Sequence, residues 1–378
     1  MSDLFEELGS QILEFLLNSG FFKITFGNVI MIGVSAVLMY LAIKKEYEPL
    51  LLLPIGFGAL LANLPLSGIT EVGGFLFYIY KYLLETGIIP LLIFIGIGAM
   101  TDFGALISSP KSFLLGAAAQ LGIFMAIILA VLFGFSINEA GAIGIIGSAD
   151  GPTTVYTASK LAPWLLGPVA VAAYSYMSLV PIIQPPVIKA LTTKKERMVR
   201  MPPALREVSK REKLLFPLIT TLVACLLVPS ASPLIGSLMV GNLLRESGVT
   251  ERLSKAAQNE LINISTILLG LGVGGTMVAE KFLTVSTLTI LGLGAFSFAT
   301  ATAGGVLLGK LFYVLTKGKF NPMIGAAGVS AVPMSARVVQ KMATKEDPEN
   351  FLLMHAMGPN VAGVIGSAIV AGILLSFA

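Results

Sequence analysis

Residues 140–156 read AGAIGIIGSADGPTTVY, an apolar run that ends on a single acidic residue, Asp150, followed directly by glycine and proline. An ionised carboxylate surrounded by hydrocarbon costs about 3 kcal/mol on insertion scales, so it persists only where a cation, a proton or a fixed partner compensates it. Gly151 and Pro152 interrupt a helix at the same place and free backbone carbonyls. The segment predicts a broken helix that binds a cation at Asp150. The alternative is a helix cap at a membrane surface.

The composition of the whole chain indicates that the surrounding solvent is lipid. Of the 378 residues, 55% are apolar and 12% are charged, and the mean hydropathy is +0.88. A soluble domain carries about 25% charged residues. At about 20 residues per crossing, the apolar stretches predict an all-α polytopic membrane protein with about ten spans, some of them short or broken.

Positive charge is concentrated in residues 189–213, which hold nine lysines and arginines between apolar stretches. By the positive-inside rule this loop is cytoplasmic, and Lys44 and Lys45 should lie on the same side. Topology accounts for the charge, so nucleic-acid binding is not needed to explain it. Residues 4–22 form an amphipathic stretch that is predicted to lie along the interface. We expect no secretory signal peptide, because the first residues are acidic rather than basic.

A second Gly/Pro-interrupted segment repeats the pattern of the first. The motif G-x-x-G-x-x-x-x-P begins at Gly144 and again at Gly325. Paired broken segments in two halves of a chain mark the binding site of many transporters. We predict two structural repeats with broken or re-entrant helical hairpins. The predicted divisions are residues 1–85 (amphipathic segment and scaffold spans), 86–188 (first repeat, with the Asp150 hairpin), 189–213 (basic loop) and 214–378 (second repeat region, with a hairpin at 321–337).

The second hairpin is neutral but rich in oxygen. Asn321 and Ser330 could complete the shell of a hard cation without adding charge, although a cap or an interhelical hydrogen bond explains each one alone. Arg337 can pair with a carboxylate in a bidentate geometry, or it anchors the chain at a membrane surface. Tyr176 lies in the apolar stretch 164–188, where it either relays a proton or packs.

Other conspicuous residues favour structural explanations. His355 is the only histidine and lies among apolar neighbours, Asp102 ends a span and suits a cap, and Cys225 has no second cysteine to pair with. The sequence contains no Walker A motif, so ATP is not the direct energy source. It also lacks zinc-ligand spacing, a nucleophile elbow and the biotin-acceptor sequence Ala-Met-Lys-Met.

Several segments together resemble a known family. The sequence at 147–153, 173–177, 185–186, 321–337 and 352–363 is similar to the beta subunits of sodium-pumping biotin-dependent decarboxylases, which act in complexes specific for oxaloacetate, methylmalonyl-CoA or glutaconyl-CoA. The likeness covers nearly the whole chain, and the short N-terminus is more similar to the CoA-ester branch. One departure is Ser148, where we expect glycine in many relatives.

The resemblance implies a division of labour. In that family a carboxyltransferase alpha subunit moves a carboxylate to biotin on a separate carrier protein. The beta subunit then decarboxylates carboxybiotin, exports sodium and consumes a proton. The resemblance further implies the bacterial inner membrane, a small gamma or delta membrane subunit, and a homo-oligomer.

It also implies roles for individual residues. Gly325 would permit a tight hairpin, and Arg337 would meet carboxybiotin. The sodium ligands would be Asp150, Asn321 and Ser330, with Tyr176 in the proton path. The catalytic set would then be Arg337, Tyr176 and Asp150.

Two other functions fit parts of the sequence. A secondary sodium/proton or sodium-coupled transporter, with no enzymatic step, explains Asp150 and the repeats but gives Arg337 no special role. A purely structural membrane subunit would not need two matching broken segments.

Overall fold

The computed structural model describes residues 11, 14–15, 17–202 and 206–377, and every regular element in these ranges is helical. The predicted amphipathic stretch at 4–22 lies mostly outside the described residues. Within them the chain forms 21 α-helices. These are α1 (Gly20–Lys23), α2 (Phe26–Lys45), α3 (Pro49–Ala62), α4 (Phe75–Tyr78), α5 (Ile88–Met100), α6 (Gly104–Ser108), α7 (Ser112–Ala119), α8 (Leu121–Leu132), α9 (Ile137–Gly144), α10 (Gly151–Leu161), α11 (Leu166–Ser178), α12 (Val180–Leu191), α13 (Lys194–Arg197), α14 (Lys210–Leu227), α15 (Ser232–Glu246), α16 (Glu251–Ala256), α17 (Ile262–Gly275), α18 (Ala279–Phe282), α19 (Val285–Leu315), α20 (Met334–Glu346) and α21 (Leu353–Ser376).

Short 3-10 turns, which are wound more tightly than an α-helix, and π-helical turns, which are wider, lie between some of these helices. The 3-10 turns are Ile145–Ser148, Pro163–Leu165, Pro229–Ala231 and Pro322–Gly328, and the π-helical turns are Ile79–Leu84 and Ala257–Leu261. The π turns stand directly before α17 and shortly before α5.

Local sequence fixes where several helices begin. Thr25, Ser136, Thr193 and Ser209 each open a capping box, in which the hydroxyl accepts from the backbone N–H three residues on and that residue's side chain accepts in return. Each box satisfies two backbone donors that a helix start otherwise leaves unpaired. These starts therefore do not depend on tertiary packing alone.

Full-length spans are fewer than the sequence predicts. In the described part of the chain, four continuous or nearly continuous helices are long and apolar enough to cross a membrane, and two bent pairs raise the number to six. The four are Phe26–Lys45, Ser112–Leu132, Val285–Leu315 and Leu353–Ser376. The prediction of about ten spans is not confirmed, because other apolar stretches form shorter helices such as α3.

The apolar stretch 164–188 forms a bent pair of helices and not one straight helix. Pro163–Ser178 and Val180–Leu191 meet at a bend of 67° around Leu179. Pro181 lies in the first turn of α12, and a proline there cannot donate the backbone hydrogen bond that would continue α11. The stretch is therefore two helices joined by a sharp break.

The helix ends gather at two faces of the molecule. At one, which we call the basic face, Asp102 at the end of α5 pairs with Lys213 at the start of α14 (Oδ1–Nζ 3.1 Å). At the other, which we call the opposite face, Glu139 near the start of α9 accepts a hydrogen bond from Trp164 Nε1 (3.0 Å). The described residues of the predicted cytoplasmic loop, 189–202 and 206–213, lie at the basic face.

Helix α21 connects the two faces and forms the centre of the bundle. Near its start, His355 Nε2 hydrogen-bonds Pro202 O at the basic face (2.6 Å), and near its end Gly372 O accepts from Ser230 Oγ (2.6 Å). In its most apolar 18-residue window 72% of the residues are buried, against 22% in α2. Helix α21 is therefore packed on all sides, whereas α2 lies at the periphery.

Candidate functional site

The first hairpin enters from the opposite face and turns at Asp150. Helix α9 begins after Ser136, continues as the 3-10 turn Ile145–Ser148 and ends at Ala149, whose φ of 54° is left-handed. Asp150 then caps α10, which returns towards the opposite face and ends just before Trp164. The hairpin therefore places Asp150 at its tip.

The Asp150 carboxylate is buried, with 4% of the residue exposed. Its Oδ1 accepts from the Thr153 N–H (3.2 Å), and its Oδ2 accepts from Thr153 Oγ1 (2.7 Å) and Ser367 Oγ (2.8 Å). Among the described residues no lysine, arginine or histidine lies within 4.0 Å to form an ion pair with it. Asp150 does cap a helix, but inside the bundle rather than at a surface, and protein groups leave its charge uncompensated.

The second hairpin enters from the basic face. Asn321 caps the 3-10 turn Pro322–Gly328, and its Nδ2 donates to Arg197 O (3.0 Å) and Val199 O (2.8 Å). After the turn the chain is irregular up to residue 333, and α20 then returns to the basic face, where Glu346 pairs with Arg197 (2.8 Å). Both ends of this hairpin are therefore bonded to residues of the basic loop (189–213).

The tips of the two hairpins touch. The Ser330 N–H donates to Ser148 O at 3.0 Å. Helix α21 supports this junction through Asn360, whose Nδ2 donates to Ala327 O (3.0 Å) and Val329 O (2.7 Å). Ser330 Oγ and Asn360 Oδ1 are buried and have no hydrogen-bond partner in the described part of the chain. Two unpaired oxygens thus lie at or beside the junction.

Close backbone approach explains the glycine at 325. A Cβ on Gly325 would overlap the carbonyl oxygen of Gly305 in α19 and lie 2.5 Å from its carbonyl carbon. The family resemblance implies that this glycine permits a tight hairpin, and that role stays a prediction. The structure supplies a further reason for glycine here, because only glycine lets the hairpin segment lie directly against the α19 backbone.

A cavity of about 410 Å³ adjoins the tips. Residues from both hairpins and from four neighbouring helices line it, among them Asp150, Ser330, Asp102, Arg245, Met177 and Met357. Since Asp102 and Arg245 belong to the basic face, the cavity extends from the hairpin tips towards that face.

The donor set around Asp150 consists of oxygen atoms. In the described ranges no three histidine, cysteine, aspartate or glutamate side chains cluster as a transition-metal site requires. Carboxylate, hydroxyl and carbonyl oxygens are instead the ligands of hard cations. The tip junction can therefore hold an alkali or alkaline-earth cation, and it offers a single formal negative charge.

Comparison with known proteins decides the family. The family model described as Na+-transporting oxaloacetate decarboxylase beta subunit matches residues 27–378. The chain belongs to this family.

Relatives from three kinds of complex are similar over nearly their whole length. The methylmalonyl-CoA decarboxylase subunit beta of Propionigenium modestum is 55% identical, covering 97% of this chain and 98% of the relative. The glutaconyl-CoA decarboxylase subunit beta of Acidaminococcus fermentans is 57% identical, with 95% of each chain covered. The oxaloacetate decarboxylase beta chain of Klebsiella pneumoniae is 50% identical, covering 95% of this chain and 96% of the relative.

The resemblance seen in the sequence is thereby confirmed. A member of the Na+-transporting decarboxylase beta-subunit family is the membrane part of a sodium-pumping, multi-subunit decarboxylase. This membership favours the pump over a secondary transporter.

Within this beta-subunit fold, three of the predicted residues do not line the cavity. Arg337 is exposed on α20, and its side chain has no hydrogen bond or ion pair with a described residue. Tyr176 is half-buried and donates a hydrogen bond to Leu291 O of α19. Asn321 lies at the base of its hairpin, and its side-chain amide donates both of its hydrogen bonds to carbonyls of the basic loop. Their implied roles stay predictions.

The structure adds residues that sequence reasoning missed. Ser367 bonds Asp150, Asn360 supports the second hairpin, and Gln184 Nε2 donates to Ala326 O of the same hairpin (3.0 Å). Tyr174, rather than Tyr176, is fully buried and packs against Gly151 next to Asp150. Polar side chains on one face of an apolar helix were the available signal, since Asn360 and Ser367 are two turns apart on α21.

Acidic groups at the basic face are ionised and paired. Although burial raises the pKa of Asp102, hydrogen bonds from the Gly104 N–H and Lys213 and the charges of Lys213 and Arg245 outweigh it and lower the pKa. The hydrogen bond from Arg197 lowers the pKa of Glu346. At this face Asp102 pairs with Lys213, and His355 hydrogen-bonds Pro202 O; that both are purely structural stays a prediction.

Proposed function

We propose that this chain is the part of a primary sodium pump that decarboxylates carboxybiotin on a carrier protein and couples that step to sodium export and proton consumption. The observation that carries the proposal is the junction of the two hairpin tips, where the Ser330 N–H bonds Ser148 O beside buried Asp150, in a chain of the sodium-transporting beta-subunit family.

The sodium site in this proposal is built around Asp150. The carboxylate supplies the charge, and Ser330 Oγ supplies a buried oxygen that no described residue uses. Bound sodium would offset a carboxylate that protein groups leave uncompensated, which lowers the cost of keeping it inside a low-dielectric bundle. Asn321 would contribute through its Oδ1 only if the base of the hairpin moves, because its amide is tied to Arg197 O and Val199 O.

The two hairpins suggest an inverted repeat. One enters from each face, each follows a long apolar helical stretch, and a π-helical turn precedes both α5 and α17. We assign the first repeat to residues 86–188 and the second to 214–378, with the basic loop at 189–213 between them and scaffold helices before residue 86. In such folds a small relative movement of the two units opens the shared site to one side or the other.

The proposed chemical step is the decarboxylation of carboxybiotin. The bond between biotin nitrogen and the carboxylate carbon breaks, its electron pair stays on nitrogen, CO2 departs and nitrogen takes up one proton. Arg337, exposed in the first turn of α20, would meet the incoming carboxybiotin, and Tyr176 would serve the proton path. The proposed catalytic set is Arg337, Tyr176 and Asp150.

The remaining parts of the complex are proposed from the family. They are a carboxyltransferase alpha subunit, a biotin carrier protein and a small gamma or delta membrane subunit, with the beta subunit as a multi-pass homo-oligomer in the bacterial inner membrane. The acyl substrate would be handled by the carboxyltransferase and never reach this chain.

The test is sodium-dependent CO2 release from carboxybiotin by the purified membrane complex, together with sodium uptake in liposomes. Asp150→Asn keeps the size of the side chain and removes its charge, so both activities should be lost. Glu280→Gln, at an exposed acid near the opposite face, should retain both. Sodium-stimulated CO2 release and transport that survive in Asp150→Asn would refute the proposal. Sodium-driven proton movement without carboxybiotin would support a secondary transporter instead.

A further inference from the structure

The cavity at the hairpin tips contains one arginine, Arg245, at the end of α15. The same residue also lines a neighbouring cleft of about 360 Å³ at the basic face, together with residues of α16. Arg245 therefore stands between a surface cleft and the inner cavity that holds Asp150 and Ser330.

The guanidinium of Arg245 is anchored at one nitrogen and loosely paired at the others. Its Nη1 donates to Met100 O (2.7 Å), whereas Nη2 lies 3.9 Å from Asp102 Oδ2 and Nε lies 3.5 Å from Glu246 Oε1. Asp102 is held more closely by Lys213, whose Nζ is 3.1 and 3.2 Å from its two oxygens. One edge of a positioned arginine is thus available to another anion.

The rest of the cavity suits a small ring system that carries a carboxylate. Its volume of about 410 Å³ falls in the range of small-molecule sites. Ile97, Met177, Met357 and Val364 give it apolar walls, as a fused bicyclic ring requires. Arg337 does not line this cavity, so Arg245 is the guanidinium that an anion inside it would meet.

We propose that Arg245 binds the N-carboxylate of carboxybiotin inside this cavity. The inference rests on the proposed function. Arg337 then contacts the carrier-borne group outside, and Arg245 holds its carboxylate next to the sodium site. The ion pair between Arg245 and the carboxylate is already formed before the carbon–nitrogen bond breaks. Arg245 therefore strengthens binding of carboxybiotin and does not accelerate the cleavage.

Placing the anion and the sodium ion in one cavity also couples them. A carboxylate that enters beside an uncompensated Asp150 is repelled, and sodium at Asp150 removes that repulsion. Sodium should therefore tighten carboxybiotin binding, and by linkage carboxybiotin should tighten sodium binding by the same factor.

The test measures kcat and KM for free carboxybiotin in the reconstituted complex at saturating sodium. Arg245→Gln should raise KM about tenfold or more with a smaller change in kcat, since it removes a charge-assisted pair. Arg245→Lys keeps the charge but loses the bidentate geometry, and should give an intermediate KM. Arg252→Gln, an exposed arginine on α16 outside both cavities, should leave KM unchanged.

Stabilisation of each variant by sodium alone, measured as the shift of its melting temperature, checks the fold independently of activity. Arg245→Gln should keep that shift. An unchanged KM in Arg245→Gln overturns the inference, while activity of the wild-type complex leaves the proposed function standing. If Arg245→Gln does not fold, a wild-type KM in Arg245→Lys also overturns it. A wild-type complex that releases no CO2 from carboxybiotin refutes the proposed function itself.

Discussion

Replacing Gly325 by alanine tests whether the close packing of the second hairpin against α19 determines the geometry of the sodium site. The new methyl carbon would overlap Gly305 O and lie 2.5 Å from its carbonyl carbon, whereas ordinary contacts of this kind are 3.4–4 Å. The hairpin must therefore retreat from α19 by about 1 Å, because the obstacle is the backbone of a 31-residue helix and not a movable side chain. The same retreat pulls Ser330 N away from Ser148 O, now 3.0 Å apart.

The size of the effect follows from that overlap. Overpacking of this kind costs about 1–3 kcal/mol. If the strain is relieved by loss of the tip junction, the half-saturating sodium concentration rises by about 5- to 150-fold. The assay is sodium-dependent CO2 release as a function of sodium concentration, accompanied by thermal unfolding in detergent.

A control lies in the same helix that Gly325 touches. A Cβ on Gly292 would meet nothing within 4 Å. Gly292→Ala should therefore leave the sodium dependence unchanged and stabilise α19 by up to about 1 kcal/mol. A Gly325→Ala protein with wild-type sodium dependence and wild-type melting temperature would show that the close approach to α19 does not shape the site.

Three further predictions concern single contacts. Asn360→Leu leaves two carbonyls of the second hairpin unpaired, so it should lower the free energy of unfolding by about 2 kcal/mol or more, measured by thermal unfolding. Because Arg197 lowers the pKa of Glu346, their ion pair stabilises the folded state above the ordinary glutamate pKa, and this stabilisation is lost as pH falls through the lowered pKa. Hydrogen exchange at the base of the second hairpin should therefore rise in acid. Arg197→Gln should remove this pH dependence. Tyr174→Phe removes a buried hydroxyl with no described partner, so the melting temperature should not fall; a clear decrease would mean that the hydroxyl is bound.

The sequence predicts the chemistry of the site better than its geometry. Asp150 is conspicuous because a lone acid in an apolar run is costly, and the repeated Gly/Pro pattern draws attention to a second segment, whose Ser330 N–H bonds Ser148 O two residues before Asp150. The faces from which the hairpins enter depend on the number of intervening crossings. Short and broken helices hide that number from a hydropathy argument.

Residues whose role depends on where the side chain points are harder to predict from the sequence. Tyr174 and Tyr176 are two positions apart, so on a helix they point about 200° away from each other and only one can face Asp150. Sequence alone does not fix the rotation of α11, and the structure turns Tyr174 inward. Similarly, Arg245 is distant from Asp150 in the chain, and only the packing of α15 against α5 brings it to the cavity.

The contact between Ser330 and Ser148 bears on how the membrane potential acts on this protein. If the cavity fills with water from the basic face, the low-dielectric barrier shrinks to the layer between the hairpin tips and the opposite face, and most of the voltage falls across that layer. A sodium ion leaving Asp150 would then cross nearly the whole field in one step, at about 2.3 kcal/mol per 100 mV. The rate of that single step, rather than of diffusion through the cavity, should carry the voltage dependence of pumping.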